Sequence, residues 1–168
     1  GTFVSPGEFI PLFESSGFIT RFDMYIWKSV CKTLAAWQDK GCKLVPISIN
    51  VSMIDITNID VPQYLSMLTE QYHISPEYLP VEITESVFAE SNTIVKNTIT
   101  RFHKKGFYVL MDDFGSGYSS LNVLKDANVD YLKLDMKFMQ IDAKNKGKGI
   151  QILKSIVDMA YRLGLVII

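Results

Sequence analysis

Cysteine and histidine are scarce in this chain, with two of each among 168 residues. Cys31 falls inside an apolar helical stretch and Cys42 just after it. Neither has a spacing suited to a metal or a disulfide framework, and both are read as reduced packing residues. His73 and His103 lie in or after helices, away from the strand ends considered below, and are read as surface or packing residues. Without a Cys or His cluster, zinc is disfavoured as the natural ion. No apolar run approaches the ~18 residues of a membrane span, and nothing resembles a secretory signal. Charge of one sign is missing too: 17 Lys and Arg balance 18 Asp and Glu, for a net charge of −1. Neither a DNA-binding footprint nor an acidic tail is therefore expected. No repeat or linker stands out, and Lys144 to Gly149 reads as a surface loop. What remains is the composition of one cytoplasmic domain, 48% hydrophobic.

Against that background one stretch is distinctive. The apolar run Val109-Leu110-Met111 ends in Asp112-Asp113 and continues as Phe114-Gly115-Ser116-Gly117-Tyr118-Ser119-Ser120. Two adjacent acids at the end of a core strand repel each other and lose solvation unless a cation or a hydrogen-bond network holds them. An exposed Asp-Asp turn is the plainer alternative. Other apolar runs end in the same way. Leu44 to Ile49 leads into Asn50, and Leu79 to Ile83 carries Glu82 and leads into Thr84-Glu85. In Tyr131-Leu132-Lys133-Leu134-Asp135, Lys133 and Asp135 share one face of a strand and the two leucines the other. Short strands with polar ends, each followed by a helical stretch, are the layout of a parallel β/α protein with its site at the carboxyl ends.

Capping signals place the helices. Ser5-Pro6-Gly7-Glu8 opens one, Thr20 to Asp23 opens a second that runs to Gly41, and Asp60-Val61-Pro62 opens a third. Further helices are expected over 91–105 and 149–163, with a short one after Ser119. Strands are expected at 44–50, 79–84, 107–112, 130–135 and 165–168, with Pro46 and Pro80 weakening the start of two. Leu165 to Ile168 reads as a buried strand cut short, and a complete β/α barrel usually needs ~250 residues. The expectation is a partial barrel with both ends missing elements of the sheet.

These motifs, with Val4-Ser5-Pro6 through Phe9-Ile10-Pro11, closely resemble the EAL domain, the bacterial cyclic-di-GMP phosphodiesterase, across residues 1–168 and in the family's order. The resemblance implies a TIM-type β/α barrel that binds two Mg²⁺ or Mn²⁺ ions and hydrolyses cyclic-di-GMP to linear pGpG. It implies that Asn50, Glu82 and Asp112 are metal ligands and that Asp113 reaches the other metal. By the same resemblance Lys133 contacts the attacking water, Asp135 has a supporting or ligand role, and Glu85 anchors the loop Phe114 to Ser120. A homodimer through this domain is implied as well, as is a parent chain with sensor or diguanylate cyclase domains. Position 116 is Ser where the family more often has Thr, which keeps the hydroxyl.

Two family segments are absent from these residues: the Glu-Ala-Leu motif and a later Ala-Glu-Gly-Val-Glu segment. The chain is accordingly expected to be inactive alone. The chemistry is coherent without the name, since carboxylate and amide oxygens suit Mg²⁺ or Mn²⁺. A lysine nearby adds positive charge where a phosphoryl transition state is most anionic. A plain ion pair of Lys133 with Asp135 or Asp112 is the structural alternative. At the level of function the alternative is a degenerate domain serving as a cyclic-di-GMP receptor or protein-interaction module. A glycosidase pair of Glu82 and Glu85 would need two residues three apart on a strand to share a cleft. Asp113-Phe114-Gly115 also mimics a kinase motif, but no glycine-rich phosphate loop or His-Arg-Asp loop accompanies it.

Overall fold

The computed structural model describes residues 4–89, 93–116, 123–125, 127–135 and 146–168. Helix α1 (Pro6–Ser15) starts after extended Ser5 with proline in its first turn, where a missing N–H costs nothing. Helix α2 (Ile19–Asp39) follows, burying Trp27, Cys31 and Leu34 along one stripe. It stops where Gly41 adopts φ +69°, a left-handed conformation that glycine reaches without Cβ strain. After β1 (Ile49–Asn50) come α3 (Met53–Asn58) and α4 (Val61–Gln71), the latter capped by Asp60, whose side chain accepts the Gln63 N–H at 3.1 Å. The remaining elements are β2 (Val81–Thr84), α5 (Glu85–Ala89), α6 (Thr93–Lys104), β3 (Val109–Phe114), β4 (Tyr131–Leu134), α7 (Lys146–Arg162) and β5 (Val166–Ile167). Residues 123–125 are also helical.

The strands form one parallel sheet in chain order, β1 to β5, with each strand paired to the next. Parallel neighbours need crossover connections, and the helices that supply them cover one face. Ile49, Val81, Ile83, Val109, Met111 and Leu132 point into that covered face, where they pack with Trp27, Leu34, Phe102 and Phe107. Alternation puts Ser48, Asn50, Glu82, Asp112 and Lys133 on the other face. The architecture is thus an α/β arc of a TIM-type barrel. Among the described residues the sheet is open, with β1 and β5 at its edges. No described helix is long and apolar enough to cross a membrane.

Several local features differ from the sequence expectation, and one is that α7 already begins at Lys146, inside the stretch Lys144 to Gly149 expected as a loop. The first strand is shorter than 44–50, although the Ile47 N–H already bonds Tyr78 O at 3.0 Å. Pro46 and Pro80 have no N–H to give the ladder, which delays regular pairing. Two short helices, α3 and α5, were not anticipated; α3 is nucleated by a capping box in which Ser52 and Asp55 bond each other's backbone N–H. Strand β3 also runs past Asp112 to Phe114, by way of a register irregularity between Met111 and Phe114. Met111 pairs with Leu132 and Phe114 with Leu134, so Asp112 and Asp113 together oppose Lys133. Two residues against one is a β-bulge, a device that re-aims side chains beside sites.

Candidate active site

Glu82, Asp112 and Lys133 come from three adjacent parallel strands and meet on the uncovered face. Lys133 Nζ donates to Glu82 Oε2 at 3.0 Å and to Asp112 Oδ2 at 3.1 Å. Ser48 Oγ donates to Glu82 Oε1 at 2.5 Å, so both oxygens of this buried carboxylate are bonded. Partial burial by itself lowers the pKa of the Lys133 ammonium, but the hydrogen bonds and charges of Glu82 and Asp112 outweigh it and hold the group above its ordinary value. The lysine is therefore a fixed positive charge at neutral pH.

Asn50 pairs in register with Glu82 across β1 and β2. Its carbonyl accepts Trp27 Nε1–H at 3.0 Å, so a fully buried indole on α2 fixes this end of the strand. Asp113 is exposed, with φ +57°, and its N–H bonds Asp112 Oδ1 at 2.8 Å. Left-handed backbone is uncommon for a non-glycine residue, and the bulge imposes it here. Glu85, buried at the start of α5, accepts the Gly115 N–H on Oε2 at 2.8 Å, while Gly115 itself has φ +96°. Phe114 is buried and Ser116 exposed. Asp135 follows β4, and its N–H bonds Phe114 O at 3.2 Å. The loop positions Gly117, Tyr118, Ser119 and Ser120 lie outside the described residues.

Asn50, Glu82 and Asp113 line a cavity of about 840 Å³ together with Phe9, Ile10 and Phe22 of α1 and α2. That is the size of a small-molecule or nucleotide cleft, lined by both acids and aromatic side chains. The donors are hard oxygens, the chemistry that suits Mg²⁺ or Mn²⁺. Cys31 and Cys42 take no part: burial pushes the Cys31 thiol up to about 11, and Cys42 is exposed. Among the described residues no three His, Cys, Asp or Glu side chains gather closely enough for one ion. Glu82 and Asp112 share the Lys133 ammonium, which offsets one of their two charges. Two supporting residues escaped sequence reasoning. Ser48 lies two before Asn50 on the same strand face, a signal that strand parity carries; nothing local in the sequence marks Trp27 as a partner of Asn50.

The whole chain, residues 1–168, matches the family described as the EAL domain. The chain belongs to the EAL domain family. It is 33% identical over 163 residues to signaling protein YkoW of Bacillus subtilis, covering 97% of this chain and 20% of that protein. It is 33% identical over 166 residues to the probable cyclic di-GMP phosphodiesterase PdeB of Escherichia coli, covering 98% of this chain and 31% of that one. The EAL chain thus spans less than a third of these relatives. Among solved structures, the PaMucR phosphodiesterase in complex with c-di-GMP superposes with a TM-score of 0.80 at 25% identity, covering 98% of this chain and 71% of that one. The FimX EAL domain of Pseudomonas aeruginosa bound to c-di-GMP shares the fold, with a TM-score of 0.87 at 20% identity, over 99% of this chain and 66% of that one.

Proposed function

We propose that the protein carrying this EAL domain hydrolyses one phosphodiester bond of cyclic-di-GMP, giving linear pGpG in a metal-dependent reaction. The observation that carries this reading is Lys133 joined to both Glu82 and Asp112 across three strand ends, with Asn50 beside them. Asn50, Glu82, Asp112, Asp113 and Asp135 are the residues proposed to hold Mg²⁺ or Mn²⁺. When bound, such ions neutralise the phosphodiester and activate water. Lys133 keeps its proton through neutral pH and offers a fixed charge to the attacking water and the anionic transition state. Glu85 holds the Gly115 amide and so sets where the loop Phe114 to Ser120 leaves Asp113. The aromatic wall of Phe9 and Phe22 suits the face of a purine base. Proposed partners are cyclic-di-GMP, a second copy of the domain, and sensor or diguanylate cyclase domains in the whole protein, which acts in the cytoplasm.

A second reading has one observation behind it. Among the described residues no three His, Cys, Asp or Glu side chains are placed to hold a metal ion, which suits a non-catalytic cyclic-di-GMP receptor. One experiment separates the two: full-length protein is incubated with cyclic-di-GMP and Mg²⁺, with and without EDTA, and the nucleotides are resolved by chromatography. Linear pGpG that disappears with EDTA supports the phosphodiesterase. Binding without turnover supports the receptor.

A further inference from the structure

Asp23 has no part in the site as described, yet it is half-buried in the wall of the same cavity. It lies on α2 one helical turn before Trp27, and its carboxyl is within hydrogen-bonding reach of the Asp55 carboxyl on α3. Asp55 is fully buried and its two oxygens differ. Oδ2 accepts the Ser52 N–H at 2.9 Å and the Ser52 hydroxyl at 2.7 Å, whereas Oδ1 has no hydrogen-bond partner. A buried carboxylate oxygen without a donor is costly, so whatever faces Oδ1 must donate. The charged groups acting on Asp23 are Asp55 of α3 and Glu14 of α1; Glu82 and Asp113 complete the acidic lining of the cavity. A carboxylate among these cannot donate, but a protonated carboxyl can.

We propose that Asp23 donates a hydrogen bond from its protonated carboxyl to Asp55 Oδ1, and is thereby a positioning residue for Asn50. Trp27 and Asp23 then grip one turn from the same helix face, Trp27 through the Asn50 carbonyl and Asp23 through Asp55 and Ser52 two residues later. Burial first, and then the neighbouring charge and hydrogen bond of Asp55, push the Asp23 carboxyl up to about 7 from 3.8. Between those values the folded chain holds a proton that the unfolded chain releases. The stability contributed by the pair is therefore full below about pH 4 and is lost as pH rises through about 7. The consequence for catalysis rests on the proposed role of Asn50; the shared proton does not.

The test uses the full-length protein with Asp23→Asn and Asp23→Ala. An asparagine amide can donate to Asp55 Oδ1 at every pH. The fall in melting temperature of the wild type as pH rises toward about 7 should flatten in Asp23→Asn, and the infrared C=O band of a protonated carboxyl at near-neutral pH should vanish. Asp23→Ala should raise the Mg²⁺ concentration for half-maximal turnover about tenfold, with Asp23→Asn restoring most of it. A melting profile shared by wild type and Asp23→Asn, or a protonated-acid band that survives the substitution, overturns the proposal. Melting and infrared spectra do not depend on turnover. An inactive parent protein would therefore sink the phosphodiesterase reading while the proton pair is still judged on its own evidence.

Discussion

Lys133 Nζ sits 3.0 Å from Glu82 Oε2 although their strands are not neighbours; β3 runs between them and contributes Asp112 to the same ammonium. One lysine therefore bridges two carboxylates on its own side of the sheet, leaving the trio one negative charge in excess.

Replacing it with methionine keeps the stem and leaves two facing acids. Lys133→Met should destabilise the metal-free protein by about 1–2 kcal/mol, less than for a fully buried pair because the lysine side chain is 38% exposed. Added Mg²⁺ should raise the melting temperature of the variant by more than that of the wild type, since a cation now supplies the missing charge. Under the proposed mechanism, turnover of cyclic-di-GMP should fall about 100-fold or more. Thermal melts with and without Mg²⁺ decide the first part, and an Mg²⁺ shift no larger than that of the wild type would contradict it.

The parts of this site that were legible in the sequence are those written in strand parity. Glu82 against Ile83, and Lys133 against Leu132 and Leu134, announce which face is polar, because alternation is a local property of extended chain. The short helices α3 and α5 carried too little periodicity to be recognised, though Ser52 and Asp55 stood at capping-box spacing. Long-range pairings were illegible for a different reason. Ser48 with Glu82, Gly115 with Glu85 and Asp23 with Asp55 depend on how distant elements dock, which single-residue patterns do not encode. The bulge at Asp112 and Asp113 belongs to the same class, since it exists only relative to the partner strand.

Glu85 is buried, with 3% of its surface exposed, and bonds the Gly115 amide. Glu85→Ala should cost about 1.5–3 kcal/mol, the range for a hydrogen bond to a charged group, without abolishing folding. Under the proposed mechanism, turnover should fall further than stability does, and more Mg²⁺ should be needed to restore it. Urea denaturation set beside Mg²⁺ titrations of activity checks both, and a well-folded variant with normal turnover would leave Glu85 without a functional role.

The Asp60–Arg101 ion pair between α4 and α6 is half exposed. Arg101 chiefly holds the Asp60 carboxyl below its ordinary pKa through their hydrogen bonds. Exposed pairs of this kind contribute little, so Arg101→Ala should change stability by less than about 1 kcal/mol. Asp60→Ala should cost about 1 kcal/mol more, because Asp60 also caps α4 through the Gln63 N–H. Equal losses in the two variants by urea denaturation would show that the cap contributes nothing.

Asp113 offers the sharpest separation of stability from function. Its backbone lies at φ +57°, a region that costs an L-residue roughly 1–2 kcal/mol and glycine almost nothing. Aspartate tolerates that region better than most residues, so the strain relieved on replacement falls at the low end, about 1 kcal/mol. Part of that gain is offset because glycine is freer than aspartate in the unfolded chain. Asp113→Gly should accordingly melt at or slightly above the wild-type temperature, by up to about 2–4 °C. Asp113→Val, with a β-branched side chain forced into left-handed backbone, should melt lower. Both should lose cyclic-di-GMP turnover if the carboxylate holds a metal, since neither retains an oxygen ligand. Strain kept at a position where glycine would fit better is the pattern expected of a residue retained for chemistry. Asp113→Gly that is both destabilised and inactive would instead make Asp113 a structural part of the bulge.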